Sequence, residues 1–509
     1  MRRIFNKKLI KRLVIGLLLL LITAFLGEYI WSTYQLKKHT GELTKIIDPT
    51  PFFDSYQRIG IKNVNILSAN GEYFQTKNIV LNKGKIESIL NVDSLNNGVK
   101  YIDGSEKYLI SGLTDTHVHL LNSKNDLYLN LANGVTSIAE MFGTEKHLKW
   151  KNESKKGEIS PKIFVASSKL GSQKGFNAKM SKNYGGVIHL QDAESSRKTI
   201  KNFKEKGYDA IKLGTFMYDD IFDIIIQESK SKKIPVIGHL SIDKTLTDFY
   251  GSGQSQLAHI EEITKATMRE FGGINSKNAK EYISYLENNI EEIALNLKKY
   301  NISVSTTIWL MESLPKQKFD LENFVKSIEL EYVNPGILEG SGLNKGWLPG
   351  NNEYEITFET DEELEKSKIF WTTYVEAIHI VTKALSENDV TLLVGTDSNV
   401  AGVVSGFSMH YEMESLSKLG ISNADVLKYA TETPASFINF NTGKIQVGYD
   451  ADLVLLSKNP IESIKNTREI ETVFFGNYTI TKEQIKRLLS EIVRINNAER
   501  NTAINKHLE

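Results

Sequence analysis

The chain has 509 residues, which is more than one minimal domain needs and enough to bury a sizeable core. Its 62 basic and 62 acidic residues give a formal net charge of zero, which argues against a nucleic-acid partner. The absence of cysteine excludes disulfides, thiolate ligands and cysteine nucleophiles, so nitrogen and oxygen atoms would have to hold any metal ion.

The first predicted element is a membrane anchor. Basic residues at positions 2–12 precede an apolar run from Leu13 to Gly27, which continues beyond Glu28 to Trp31. Residues 13–31 have about the length that crosses the hydrocarbon core of a lipid bilayer. The basic cluster predicts a cytoplasmic N-terminus and a body outside the cytoplasm, at the cell membrane. A cleaved signal peptide and a non-spanning helix are the alternatives, although no A-x-A-like cleavage site follows the apolar core.

Short alternating segments near both ends of the chain predict a small β domain. Residues 58–102 contain the patterns IKNVNILSA and NIVLNKGKIESIL, with turn signals at Asn70-Gly71 and Lys83-Gly84. Similar alternation returns only at 443–476. The two regions together predict one composite β-sandwich domain built from both ends of the chain.

The middle of the chain alternates strand-like runs with helical ones, such as Ala193–Lys206, for which Asp192 is the expected N-cap, and Asp220–Ser231. Eight strand–helix units predict an α/β fold with a (β/α)₈ TIM-type barrel, whose sites lie at the C-terminal ends of the strands. An open doubly wound sheet is disfavoured because no Gly-rich phosphate loop follows an early strand. The predicted strands are Tyr108–Leu120, 134–143, 161–168, 208–214, 234–240, 254–262, 302–310 and 390–397.

These patterns divide the chain into five parts. The expected parts are a cytoplasmic basic tip and transmembrane anchor (1–33), a stalk (34–57), the composite β domain (58–108 and 441–480), the barrel (109–440) and a C-terminal helical tail (481–509). The barrel contains a long insertion at 311–388. Within it, residues 340–350, with Trp347 and Leu348, are expected to cover part of the barrel mouth, although a surface excursion without a role is an equal alternative.

Groups that could bind a metal recur at the predicted strand ends. His117 and His119 are two residues apart, so they leave the same face of an extended strand. The later strands end with Lys212, His239, His259 and Asp397. Each residue has a structural alternative, such as helix capping by Asp397 in GTDS. Their recurrence where barrel strands converge favours a site, and imidazoles with a carboxylate suit zinc or another borderline divalent ion.

The sequence motifs TDTHVH, IKLG, IGH, LAH and GTD, in this order, resemble the metal-binding signature of the amidohydrolase superfamily. The C-terminal stretch TPASFINFNTGKIQVGYDADLVLLSKNPIESI is similar to the closing segment of that superfamily. The resemblance covers nearly all of residues 61–476. It is greatest to the branch that contains imidazolonepropionase-like enzymes and metal-dependent dipeptidases.

The resemblance implies a binuclear site with two divalent ions, most simply Zn²⁺. His117, His119 and Asp397 would hold one ion, and His239 and His259 the other. A carbamate on Lys212 would bridge the two ions together with a hydroxide. Asp397 would carry the proton from that hydroxide to the leaving amine, and Tyr218 is a candidate contact for the substrate.

Two segments depart from the pattern of that branch. Ala139-Glu140 replaces a common Arg-Asp pair after the second strand, and LGSQKGFNAKM replaces a Gly-Gly-His-Gly turn after the third. Both segments are in loops that shape the substrate pocket, so they leave the substrate open without changing the metal ligands.

The resulting functional prediction is a membrane-anchored metal-dependent hydrolase that cleaves an amide or peptide-like C–N bond. Its expected partners are a small-molecule or short-peptide-like substrate and the lipid bilayer around residues 13–31. A lactonase or phosphotriesterase-like activity is an alternative because the same hydroxide could attack an ester or phosphorus. A tethered binding protein without catalysis is the third reading. No feature of the sequence indicates an oligomeric state.

Overall fold

The computed structural model describes residues 7–67 and 74–505. The predicted turn at Asn70-Gly71 and the first residues of the basic tip lie outside the described residues. The helices are α1 (Lys7–His39), α2 (Asn125–Ala132), α3 (Glu145–Lys155), α4 (Gly175–Gly185), α5 (Ala193–Lys206), α6 (Asp219–Ser231), α7 (Leu246–Phe249), α8 (Glu261–Phe271), α9 (Ala279–Lys299), α10 (Ile308–Phe319), α11 (Leu321–Lys326), α12 (Pro335–Glu339), α13 (Asp361–Glu387), α14 (Phe407–Lys418), α15 (Asn423–Ala430), α16 (Glu432–Phe437) and α17 (Lys482–Glu499). The strands are β1 (Asp54–Ser55), β2 (Arg58–Leu67), β3 (Phe74–Asn82), β4 (Lys85–Leu90), β5 (Tyr101–Asp103), β6 (Tyr108–Ser111), β7 (Leu113–Val118), β8 (Val135–Glu140), β9 (Lys162–Val165), β10 (Leu170–Gly171), β11 (Ile188–His189), β12 (Ile211–Leu213), β13 (Val236–Gly238), β14 (Gln256–Leu257), β15 (Ser303–Ser305), β16 (Leu392–Leu393), β17 (Leu453–Leu456), β18 (Ile470–Phe475) and β19 (Tyr478–Thr481).

The helix α1 exposes its apolar side chains instead of packing them into a core. The large apolar side chains from Leu13 to Trp31 are 44% to 69% exposed. Among the described residues, Lys11–His39 is the one helical segment that is long and apolar enough to cross a membrane. A signal sequence shares this property, but a buried core helix does not fit the exposure.

Residues 34–57, which were expected to form a stalk, lie against the body. The helix α1 continues to His39, and Asn122 then donates hydrogen bonds to the backbone oxygen and hydroxyl of Thr40 at 2.8 and 2.9 Å. Further on, Asn125 bonds the backbone of Lys45 and Ile47 at 2.9 and 3.0 Å. Asn122 and Asn125 are about 80 residues away from the segment that they bind, so no local sequence pattern predicts the contact.

The strands from both ends of the chain form one nine-stranded sheet, in the order β1-β19-β18-β17-β6-β2-β3-β4, with β5 beside β2. Hydrogen bonds join these strands into a single sheet, where the sequence suggested a sandwich of two. Buried side chains from both arms of the sheet, including Ile61 and Ile79 on one arm and Leu453 and Phe474 on the other, pack into one apolar cluster. The two ends of the chain therefore share a core.

The predicted strand Tyr108–Leu120 is two strands. Its first half, β6, pairs with β2 and β17 in the nine-stranded sheet, whereas its second half, β7, pairs with β8. The change occurs at Gly112, whose N–H bonds Asp452 on one side while Leu113 bonds Gly134 on the other. A side chain at Gly112 would collide with Thr136, so only glycine fits this crossing.

The middle of the chain supplies parallel strands with helices between them, so the protein is of the α/β class. The strands β7-β8-β9 form one parallel sheet, and β12-β13-β14-β15-β16 run parallel in a second, which β10 and β11 extend. Two single parallel bridges lie between the sheets, one joining Ala166 to Ala210 and the other joining Val118 to Ser398.

Two of the predicted strands are shorter than expected because helices begin early. The segment 302–310 is a strand only at β15, and α10 begins at Ile308. The N–H groups of Ile308 and Trp309 donate to the buried carboxylate of Glu412 at 2.8 and 2.7 Å, which fixes the start of the helix. The segment 254–262 likewise contains β14 and the first residues of α8.

Candidate metal centre

The six side chains that the sequence placed at strand ends lie together. His117 is in β7 and His119 follows it directly, Lys212 is in β12, and His239, His259 and Asp397 follow the ends of β13, β14 and β16. The ring centroids of His117 and His259 are 4.5 Å apart, and those of His239 and His259 are 5.1 Å apart. Lys212 Nζ lies 3.3 Å from His117 Nε2. None of the six lies on an outer wall.

The tightest part of the centre contains His117, His119 and Asp397. Ligand atoms of these three residues all lie within 4.8 Å of one another. Asp397 Oδ1 is 2.9 Å from His119 Nε2 and 3.4 Å from His117 Nε2. This oxygen is buried, and beyond these two imidazoles it has no hydrogen-bond partner among the described residues. Nitrogen and oxygen atoms that converge in this way are the donor set that a divalent cation requires, so these residues fit a metal ion.

Each of three imidazoles uses one ring nitrogen for a protein contact and leaves the other for the centre. His117 Nδ1 lies 3.0 Å from the carbonyl oxygen of Ala258, and His239 Nδ1 lies 2.9 Å from Glu262 Oε1. His259 Nδ1 lies 3.2 Å from the hydroxyl of Thr307. A proton on Nδ1 of His117 and His239 satisfies these acceptors and leaves a lone pair on Nε2, the arrangement found in metal-binding histidines.

Burial controls the protonation of the centre. It lowers the pKa of His259 to about 3, and it lowers the pKa of His117 and His239 well below the ordinary histidine value. The three rings are therefore neutral at pH 7, as metal ligands must be. Burial also lowers the pKa of Lys212 to about 7. For Asp397, burial opposes ionisation, but its close contacts with the ring nitrogens of His117 and His119 and with the nearby ring of His259 favour the carboxylate and hold its pKa well below the usual range.

Asp115 ties the two ends of the centre together and was not identified from the sequence. Its carboxyl accepts hydrogen bonds from the Thr396 hydroxyl at 2.6 Å and from the N–H of His117 at 3.1 Å. Burial raises the pKa of Asp115 to about 7. Asp397, the residue after Thr396, has a φ of +62°, and its N–H donates to the His117 carbonyl at 2.7 Å. The strained backbone of Asp397 is thus held by the strand that carries two of the histidines.

A cavity of about 220 Å³ opens beside the centre, and its lining includes His119, Lys212 and His239. Lys345, Gly346 and Trp347 of the long insertion form part of its wall. Trp347 is 3% exposed. The expected covering loop is therefore in contact with the cavity. Tyr218, the predicted substrate contact, is 38% exposed before α6 and is absent from the cavity lining in the described part of the chain.

Two charged groups lie near the cavity: Glu140 belongs to the first departing segment, and Lys169 directly precedes the second. Glu140 is fully buried and accepts hydrogen bonds from the N–H groups of Leu120 at 2.6 Å and Phe142 at 2.7 Å. It fixes the segment that follows His119. Lys169 lines the cavity, and among residues 7–67 and 74–505 it has no salt-bridge partner. Burial lowers its pKa. Asp397 and Glu262 act on this ammonium group through space and Glu353 lines the same cavity, but no carboxylate of the described residues is within salt-bridge distance of it, so it can meet an anionic group of a ligand.

Comparison with known proteins assigns the chain to a family. A family model described as "Amidohydrolase family" matches residues 108–477, which is most of the chain. The chain belongs to the amidohydrolase family. The prediction of the superfamily is confirmed, as is that of an enzyme that hydrolyses carbon–nitrogen bonds.

Three individual proteins show how far the similarity extends. A 5'-deoxyadenosine deaminase of Methanosphaera stadtmanae is 27% identical over 429 residues, covering 82% of this amidohydrolase and 88% of the relative. Among solved structures, bottromycin amidohydrolase superposes with a TM-score of 0.66 at 17% identity, over 91% of this chain and 96% of the other. A putative prolidase from Bifidobacterium longum gives 0.60 at 18% identity, over 86% and 100%. These structures share the fold, and at such identities they do not specify the substrate.

The Glu262 carboxylate gives a test of how the amidohydrolase orients its ligands. Glu262→Gln is expected to weaken metal binding about 10-fold to 100-fold, because a neutral amide is a weaker acceptor than the carboxylate for the proton on His239 Nδ1. Metal content after dialysis against a graded chelator series measures this change. Glu270→Gln, at an exposed position of the same helix α8, is the control and should bind metal as the natural protein does. Equal affinities for all three proteins would refute the orienting role of Glu262.

Proposed function

We propose that this amidohydrolase cleaves an amide or peptide-like C–N bond. The single observation that carries the proposal is the convergence of His117, His119, Lys212, His239, His259 and Asp397 beside one cavity. The two single bridges between the parallel sheets further support a closed barrel of eight strands, β7-β8-β9-β12-β13-β14-β15-β16. In such a barrel the strand ends that carry these residues surround one mouth.

The donor set fits two divalent ions, with Zn²⁺ the simplest choice for imidazole and carboxylate ligands. His117, His119 and Asp397 would hold one ion, and His239 and His259 the other, with Lys212 between them as a carbamate. An uncharged, buried amine can take up CO₂, and the burial that lowers the pKa of Lys212 favours that form. Bound ions would acidify water and polarise the scissile carbonyl.

Four residues of the chain have further roles in the proposed reaction. Asp397, whose buried Oδ1 has only imidazoles of the centre as polar partners among the described residues, accepts a proton from the attacking water and returns it to the leaving nitrogen. Asp115 accepts hydrogen bonds from the backbone N–H of Thr396, which precedes this carboxylate, and from that of His117. Lys169 favours a substrate that has an anionic group near the scissile amide, such as the carboxylate of a short peptide. Trp347 limits the size of the group that enters.

The experiment that tests the proposal is a side-by-side screen of the metal-loaded full chain. Dipeptides and N-acyl amino acids should be hydrolysed, with metal content near two ions per chain. Lactones and phosphotriesters test the alternative of attack on an ester or on phosphorus. Activity that survives complete metal removal, or metal-dependent ligand binding without turnover of any substrate, would refute the proposal.

Deamination is a second candidate, because the relative from Methanosphaera stadtmanae is named a 5'-deoxyadenosine deaminase and covers 82% of the chain. Release of ammonia from 5'-deoxyadenosine in the same screen separates this reaction from amide hydrolysis. A kcat/KM for release of ammonia from the nucleoside that exceeds the kcat/KM for every amide would favour deamination.

We also propose that α1 is an uncleaved anchor in the cell membrane, with its N-terminus in the cytoplasm and the catalytic body outside. The support is the exposed apolar surface from Leu13 to Trp31 and the packing of residues 38–47 on the body. Cleavage after Trp31 would remove the Trp31 ring, which lies against Gly342 of the long insertion. Intact mass and N-terminal sequencing of the protein extracted from membranes should give a chain that retains α1. A mature chain that begins beyond Trp31 would refute the anchor.

Trp347 gives a test of the covering loop. Trp347→Ala is expected to raise KM for the preferred substrate about tenfold with a smaller change in kcat, because it removes an apolar wall that substrate and transition state contact alike. Trp371→Ala is the control, since Trp371 is partly exposed on α13 and does not line the cavity. Unchanged KM and unchanged substrate preference in Trp347→Ala would show that the loop only borders the site.

A further inference from the structure

The end of the anchor helix forms part of the catalytic cavity. His39, the last residue of α1, lines the cavity together with His119, Lys212 and His239. Trp31 lies eight residues earlier in the same helix, which corresponds to a rise of about 12 Å. The apolar segment that would cross the bilayer therefore ends within about 12 Å, along the helix, of the cavity wall.

Contacts with the long insertion fix this arrangement. Gln35 accepts a hydrogen bond from the N–H of Gly342 at 2.8 Å, and Lys38 forms a salt bridge with Glu339 at 3.3 Å. A side chain at Gly336 would collide with the carbonyl oxygen of Lys38, so helix and insertion pack backbone to backbone. The insertion residues that receive α1 lead directly to Lys345 and Trp347 in the cavity wall. The anchor and the mouth are one packed unit.

A second group of residues at the mouth exposes apolar side chains to solvent. Phe176 and Met180 on α4 are 73% and 42% exposed and lie one helical turn apart. Phe216 and Ile242, which follow β12 and β13, are 46% and 41% exposed. Hydrogen bonds join these loops, from Ser172 N–H to the Phe216 carbonyl and from Ile242 N–H to the Thr215 carbonyl, both 2.9 Å. The loops follow the strand ends that carry Lys212 and His239.

The charged residues of α4 and of the position before it are all basic. Lys174, Lys179 and Lys182 are exposed, and α4 contains no acidic residue. A short helix with exposed Phe and Met and only lysine charges has the composition of a segment that lies in the interface of a membrane with anionic lipids. A protein with an acidic surface would also suit this helix, but the anchor places a bilayer next to the mouth and therefore favours the membrane.

We propose that the mouth of the site rests on the membrane surface, with α4 and the loops at Phe216 and Ile242 in the lipid interface. The substrate is then an amphiphile that resides in the membrane and presents its amide to the cavity, a step that depends on the proposed amide hydrolysis. An apolar tail remains in the bilayer while the polar head enters between His39 and Trp347. Anchoring then serves substrate capture as well as location.

The first test measures where the mouth lies and needs no activity. The chain has no cysteine, so Phe176→Cys and Met180→Cys each give one labelling site in the full-length protein. Leu295→Cys is the matched control, since Leu295 is 52% exposed near the end of α9 that leads to the opposite end of β15. Each cysteine carries a fluorophore, and the protein is placed in vesicles that contain phosphatidylglycerol and lipids with nitroxide-labelled acyl chains. Quenching by the nitroxide should lower the fluorescence of the labels at positions 176 and 180 about twofold or more. Equal quenching at all three positions, or none at 176 and 180, would overturn the placement.

The second test concerns the substrate. An N-acyl amide with a long chain in the vesicle is compared with a short-chain, water-soluble analogue of the same amide. Full-length protein carrying both Phe176→Ser and Met180→Ser should lose about tenfold in kcat/KM on the vesicle-borne amide and keep its activity on the soluble one. Equal losses on both amides would overturn the capture of an amphiphile. Absence of turnover on any amide would overturn the proposed hydrolysis and with it the substrate class, while the fluorescence result alone decides the placement of the mouth.

Discussion

Asp397→Asn is expected to lower kcat on the preferred amide by about 10³-fold while KM changes little. The amide oxygen of asparagine can still contact a cation, but it cannot accept and release the proton that must move from water to the leaving nitrogen. The packing should survive, because the two side chains are nearly isosteric and the backbone at this position is held by the N–H contact with His117.

The measurement is steady-state kinetics together with metal content for the natural protein and the variant. Asp223→Asn is the control, since Asp223 is exposed on α6 and should leave both quantities unchanged. A fall in kcat with metal content retained assigns the loss to proton transfer. Full activity in Asp397→Asn would remove this residue from the mechanism.

The strand ends and the ligand set could be predicted because their signal is local. An apolar run that ends in His-x-His, or in Gly-His or Gly-Thr-Asp, is readable in a few residues, and barrel topology brings such ends together. The split of Tyr108–Leu120 was missed because Gly112 continues an apolar run without a turn signal. Only the sheet partners of its two halves, β17 and β8, reveal the change.

The parts that the sequence did not reveal depend on contacts between distant segments. Glu412 determines the start of α10 from 104 residues away, and Asn334 bonds the segment after α1 across 290 residues or more. Lys169 and Glu262 look like ordinary surface charges until the fold directs one at the cavity and the other at His239. Such roles follow from tertiary packing, for which spacing along the chain carries no signal.

The same contacts explain why residues 34–57 were taken for a stalk. A polar, mixed composition is typical of linkers, and nothing in its pattern predicts that Gln35 and Lys38 bond an insertion about 300 residues later. The packing removes the freedom that a stalk would have. It makes the orientation of the cavity relative to the anchor a property of the fold.

Lys212→Ala is expected to reduce bound metal from about two ions per chain to about one or fewer, and to lower kcat by about 10³-fold. Lys212 lies 3.3 Å from His117 and lines the cavity beside His239, so its side chain occupies the space between the two halves of the centre. Its removal leaves each half with ligands for one ion at most and no bridge between them.

Two further readouts separate this role from simple loss of packing. The natural protein equilibrated with ¹³CO₂ should show a carbamate carbon signal that Lys212→Ala lacks, and millimolar formate or acetate should restore part of the metal binding, because a small carboxylate fits the vacated space and supplies two oxygen ligands. Lys169→Met is the matched control, because Lys169 lines the same cavity but forms no hydrogen bond with a histidine among the described residues, and this variant should retain both ions and the carbamate signal. Two tightly bound ions in Lys212→Ala, or an unchanged carbamate signal, would show that the centre assembles without a lysine bridge and that its two halves are independent.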